Sequence, residues 1–161
     1  MKKQDIVFGS FLLLIVLVTY FYFKNESNLN VPVEPVPTVS LDEKVEGRFD
    51  TKLPENVEKT ELKPLTLGSS FAATTREYVN GQFTLTILAD LPDPEPGQFY
   101  QAWITVGDSQ KLSLGQLREA KGGWLLEYQS NIDYTKNNEV EVTLESKLDA
   151  TPEEVLLRGS F

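Results

Sequence analysis

The chain has 161 residues, a formal net charge of −9, and neither cysteine nor histidine. No disulfide, thiolate nucleophile, lipid-bearing cysteine, histidine base or His/Cys metal site is open to it. Its acidity argues against partnership with nucleic acid and against lying flat on an anionic membrane.

The first five residues are a charged stub that includes Lys2 and Lys3. From Ile6 to Phe23 the sequence IVFGSFLLLIVLVTYFYF carries no charge. As a helix it would be about 27 Å long, close to the thickness of a bilayer core. A block that is apolar all round does not suit a half-buried core helix. The residues after it, TYFYFKNESN, lack the small-residue pattern of a cleavage site. The expectation is an uncleaved transmembrane signal anchor over 6–23, with Tyr20 and Tyr22 in the interfacial belt. Lys2 and Lys3 place the N-terminus in the cytoplasm and residues 24–161 outside. Five residues are too few to fold, so function is expected within the membrane or beyond it.

Residues 24–64 contain Pro32, Pro35, Pro37 and Pro54 and sustain no apolar period. They read as a flexible, acidic, proline-containing stalk, locally extended at Pro32–Pro37. Docking of VEGRFDTK as an edge strand is the alternative.

From Leu65 onward the pattern changes to period two. FTLTILA places Phe83, Leu85, Ile87 and Ala89 on one face and Thr84 and Thr86 on the other. NEVEVTLES places Val140, Val142 and Leu144 inward and Glu139, Glu141, Thr143 and Glu145 on a solvated face. Asn80-Gly81 is a two-residue hairpin signal, and Gly122-Gly123 marks a second turn. About eight strands are expected, over 65–68, 71–79, 82–89, 99–106, 111–118, 123–129, 139–146 and 154–160. The fold class that follows is all-β: an antiparallel, Ig-like β-sandwich over 65–161, tethered to one N-terminal transmembrane helix. A small closed barrel is the alternative.

In FYQAWITV, Tyr100, Ala102, Ile104 and Val106 share one apolar face, while Phe99 and Trp103 lie on the other. A strand apolar on both sides is central and covered twice. Trp103 is therefore expected as a core anchor whose indole N–H needs an acceptor, with an exposed stacking role as the alternative. Trp124, at a strand start, reads the same way.

Little chemistry is marked. The loop ADLPDPEPGQ offers Asp90, Asp93 and Glu95, but its three prolines fit a turn-rich connector better than the ordered oxygen cage of a calcium site. Serines and lysines neighbour each other in SLDEK and GDSQK without the context of Ser–Lys catalysis. No enzyme activity, metal or cofactor is expected.

Five short motifs in order carry a family resemblance. They are Leu91-Pro92 leading into Tyr100 and Trp103, then Ser113-Leu114-Gly115, then GGWLLEYQ, then Val142-Thr143-Leu144-Glu145, then Thr151-Pro152 through Val155, Leu156 and Gly159. Over about residues 65–161 the chain resembles the C-terminal extracytoplasmic domain of anti-sigma-K factors. The resemblance implies a sandwich fold, a bacterial-envelope location and a non-catalytic sensing or protein-interaction module with a protein partner in the envelope or membrane. Tyr100, Trp103, Ser113, Leu114, Gly115, Thr143, Glu145, Thr151, Pro152 and Gly159 are then a structural fold signature. A full member carries a cytoplasmic sigma-binding domain before its membrane helix. This chain has five residues there, so direct sigma-factor binding is not expected of it. A structural or adhesive surface module is the competing reading.

Overall fold

The strands form where the alternation puts them. A computed structural model describes Tyr20 and residues 39–161 except Leu67, and Val39–Phe161 form one unit. The unit holds one helix, α1 (Leu41–Phe49), and nine strands. In chain order these are β1 (Glu58–Pro64), β2 (Phe71–Val79), β3 (Gln82–Asp90), β4 (Phe99–Val106), β5 (Gln110–Gln116), β6 (Arg118–Ala120), β7 (Gly123–Ser130), β8 (Glu139–Glu145) and β9 (Glu154–Ser160). Among the described residues no helix is long and apolar enough to cross a membrane. The expected span over 6–23 lies outside them apart from Tyr20.

The turns obey their chemistry. Asn80 and Gly81 both take positive φ, 54° and 80°, which is the type I′ geometry that matches the twist of a two-residue hairpin. The second such turn falls one residue earlier than expected, on Lys121 and Gly122, with φ of 56° and 74°.

All strand pairs are antiparallel, and the sheet order is β5-β4-β8-β9-β1-β2-β3-β7-β6. Strand β1 joins the two halves. Glu58 to Leu62 pair with β2, while Lys63 and Pro64 pair with β9. The two edge strands, β5 and β6, are separated in sequence only by Leu117, whose N–H donates to the Tyr100 carbonyl at 2.9 Å. The nine-stranded sheet therefore curls round until its edges nearly meet. The all-β, antiparallel expectation stands. The two layers of the expected sandwich are here halves of one continuous sheet, close to a barrel.

Inward side chains fill it. Phe83, Leu85, Ile87, Ala102, Ile104, Val140, Val142 and Leu157 are fully buried in one cluster. Aromatic pairs close both ends. Tyr100 meets Trp124 edge-on at 5.2 Å at one end, and Phe83 meets Tyr134 at 5.5 Å at the other. At the Phe83 end the inward Arg76 is also held. Its Nε donates to Glu58 at 2.7 Å, its Nη1 donates to the Asn137 carbonyl at 2.9 Å, and its guanidinium lies 4.0 Å from the Phe161 ring.

Residues 41–64 correct the sequence reading. In place of a flexible stalk reaching to 64, this stretch supplies α1 and β1, and the strand expected at 65–68 lies instead at Glu58–Pro64. The local code is a capping box. Ser40 Oγ accepts from Glu43 N–H while Glu43 Oε2 accepts from Ser40 N–H, so two orphan donors of the first turn are satisfied. Val45 and Phe49, one turn apart, pack on Phe71, Ala73, Leu88 and Leu125. This makes a second, smaller core on the outer face of β2, β3 and β7.

Candidate functional site

Of the signature residues, Trp103, Ser113, Thr143 and Glu145 share the outer face of β5-β4-β8-β9. Strand order and register decide this. Tyr100, Ala102 and Ile104 point into the main core, so Gln101 and Trp103 point out. Opposite them on β8, Thr143 pairs with Gln101 and Glu141 with Trp103. On β5, Ser113 pairs with Trp103, and the register slips at Ala102/Trp103. Gly115, at φ 120°, sits beside that irregularity, a backbone setting that L side chains rarely adopt.

Hydrogen bonds lock the face. Trp103 Nε1 donates to Thr143 Oγ1 at 2.9 Å, and Thr143 Oγ1 donates to the Gln101 carbonyl at 3.2 Å. Gln101 Nε2 donates to Ser113 Oγ at 3.1 Å. Trp103 is 1% exposed, so the exposed stacking role does not apply to it. Trp124 is half-buried and turned inward against Tyr100.

The expectation of a solvated acidic face on β8 is overturned. Glu141, Thr143 and Glu145 are all 1% exposed or less. A buried carboxylate needs partners, and Glu141 has two cations. Arg158 Nε donates to its Oε1 at 2.6 Å, and Lys111 Nζ lies 2.8 Å from its Oε2. Lys111 also donates to Glu139 Oε1 at 2.7 Å and to Thr105 Oγ1 at 2.8 Å. Hydrogen bonds from Lys111 and Thr105 hold the Glu139 carboxyl below its ordinary range. Desolvation works to lower the Lys111 ammonium, but its bonds to Glu139 and Glu141 prevail and raise it.

The remaining signature residues set strand geometry. Leu114 is buried in the main core. Glu145 Oε1 accepts from Glu153 N–H at 3.1 Å and so fixes the turn before β9. In that turn Thr151 N–H donates to Asp149 Oδ1 at 2.8 Å, and Pro152 follows. Gly159 lies where an added Cβ would come within 2.5 Å of the Glu61 carbonyl. At the inner end, Tyr100 OH donates to the Pro92 carbonyl at 2.8 Å, which ties the Leu-Pro motif to the Tyr-x-x-Trp motif. Burial, then the charge of Asp93, pushes the Tyr100 phenol up.

Ten scattered positions are thus brought into contact sets, and each contact is architectural. None forms a nucleophile–base pair. Among the described residues no group of three or more acids is placed to hold a metal. Sequence reasoning set Glu141 on the outward face of its strand without its partners, and it missed Lys111 and Arg158 as members of this face. Only the cross-strand register, unreadable without the sheet order, brings them together.

Comparison with known proteins supplies the context. Neither the curated proteins nor the solved structures gave a match. The family described as anti-sigma-K factor rskA, C-terminal, matches residues 57–154. That span opens one residue before β1, where the structure also places the first strand. It contains the Trp103–Thr143–Gln101–Ser113 network in full. On this match the chain belongs to the anti-sigma-K factor C-terminal family.

Proposed function

We propose that this anti-sigma-factor-like domain is a non-catalytic protein-interaction module. It is held outside the cell by a single-pass anchor at 6–23, with the N-terminus in the cytoplasm, and it senses the envelope for a partner in or at the membrane. The family match over 57–154 carries the reading. Two further observations support it. The motif residues that sequence singles out are spent on packing and internal hydrogen bonds, which leaves them no chemistry. The first thirty-eight residues hold an uncharged block long enough to span a bilayer.

Site-directed photo-crosslinking of the full chain in intact cells tests it. The crosslinker is placed at exposed Tyr78, Ile132 and Leu148. The expected result is a discrete protein adduct in the membrane fraction, with the C-terminus of intact cells open to added protease. Adducts to wall polymer alone would favour an adhesive module. A protease-protected C-terminus would overturn the orientation.

A further inference from the structure

The connector from α1 to β1 does not lie flush on the sheet. Residues 51–54 arch over the outer face of β2, β3 and β7 and leave a pocket of about 190 Å³. Its floor is apolar, built from Ala73, Leu88 and Leu125, with Leu53 in the roof. These belong to, or pack against, the small core under α1. The space opens to solvent and is a surface pocket beneath the loop.

Its polar side chains, Thr51, Lys52, Thr75, Thr86 and Lys121, can all donate. Thr75 and Thr86 are direct cross-strand partners, and both line the pocket. No protein partner of either hydroxyl is found among the described residues. Lys121 reaches in from the type I′ turn between β6 and β7. Its Nζ lies 3.5 Å from Thr51 Oγ1, and no carboxylate among the described residues pairs with it. Lys52, which also lines the pocket, lies 3.6 Å from Glu46; the lining ammonium without a carboxylate, Lys121, together with the hydroxyls of Thr75 and Thr86, matches a singly charged carboxylate. A doubly charged phosphate calls for a denser cationic fork. The volume matches too, since a cavity of about 150 Å³ admits a molecule the size of benzene.

We propose that this pocket binds a small monocarboxylate with a short apolar tail. The carboxylate meets Lys121 and the hydroxyls of Thr75 and Thr86, and the tail lies on Leu53, Leu88 and Leu125. The inference stands on the pocket alone and is independent of the anchoring and sensing argued above.

The test uses the full chain in lipid nanodiscs with ¹³C-labelled leucine methyls, titrated separately with hexanoate, hexanol and hexylamine. Hexanoate is expected to shift the Leu53, Leu88 and Leu125 methyls saturably. Hexanol, of the same length without the charge, binds about tenfold more weakly, as the loss of one charge-assisted contact requires. Hexylamine does not bind. Lys121→Gln weakens hexanoate about tenfold and leaves hexanol unchanged, while Lys121→Arg restores hexanoate. Absence of saturable shifts with hexanoate overturns the proposal, and so do equal affinities for hexanoate and hexanol. If Lys121→Gln disturbs the turn, the comparison of ligands on the unaltered chain still decides.

Discussion

Trp103 was legible as a buried anchor from the two apolar faces of FYQAWITV, and its need for an acceptor followed from the indole N–H. The acceptor itself was not legible. Thr143 lies 40 residues away, and only the pairing of β4 with β8 brings the two together. Thr143→Val leaves the indole N–H without its acceptor and the Gln101 carbonyl without its donor, at a cost of about 1–3 kcal/mol. In a Trp103→Phe background, which has no N–H to strand, the same substitution is expected to cost less. Urea unfolding of the four proteins of this cycle measures the difference, and equal costs in both backgrounds would show that the bond is idle. Gly159 was named in the sequence only through the family motif, and the reason for it was not legible, because its constraint is another strand. A Cβ there would stand 2.5 Å from the Glu61 carbonyl and 2.7 Å from Leu62 Cδ2. Gly159→Ala must push β9 off β1, and about 1–3 kcal/mol of destabilisation is expected in the same assay. An unchanged midpoint would mean that the contact relaxes freely.

At the scale of elements, the period-two strands were readable and the helix was not. The signal for α1 was present in SLDEKVEGRF, where Ser40 and Glu43 have capping-box spacing and Leu41, Val45 and Phe49 recur every four residues. Four prolines nearby and a mostly polar composition hid it, and a helix this short is marginal without tertiary packing. Its stability therefore rests on the small core it shares with Phe71, Ala73, Leu88 and Leu125. Two ion pairs flank that core, Lys44 to Glu61 at 2.5 Å and Arg48 to Asp90 at 2.8 Å; exposed pairs of this kind contribute little. Because this cluster is separate from the main core, Phe49→Ala is expected to release the helix without unfolding the sheet. Hydrogen exchange should then lose protection at 41–49 and keep it in β3, β4 and β8. Loss of protection across all strands would show that the two cores are one cooperative unit. Ser40→Ala is the milder form of the same experiment, expected at about 1 kcal/mol.

At the scale of the whole molecule, alternation told which side chains face inward but not how the strands are ordered. Pairs such as β4–β8 and β1–β9 are long-range, and a strand's sequence carries no address for its neighbour. The acidic pattern of β8 was misread for this reason, since NEVEVTLES alone cannot reveal that Arg158 arrives from the adjacent β9 and Lys111 from β5, across β4. That juxtaposition gives the fold a pH dependence whose sign can be worked out. The folded state holds the Glu139 carboxyl below its ordinary value of 4.5, so the fold favours the ionised form. Its contribution is fully present above the unfolded value and is lost as pH falls through the lower, folded one. Glu139→Gln removes this group while Glu141 keeps both its cations. The unaltered chain is then expected to be the more stable of the two at neutral pH, with the gap closing as pH falls below 4.5 and through the lower, folded value. Urea midpoints taken across that range measure it. A gap that persists undiminished into acid would show that Glu139 acts through packing and that its bonds to Lys111 and Thr105 have no part in the acid stability of the domain.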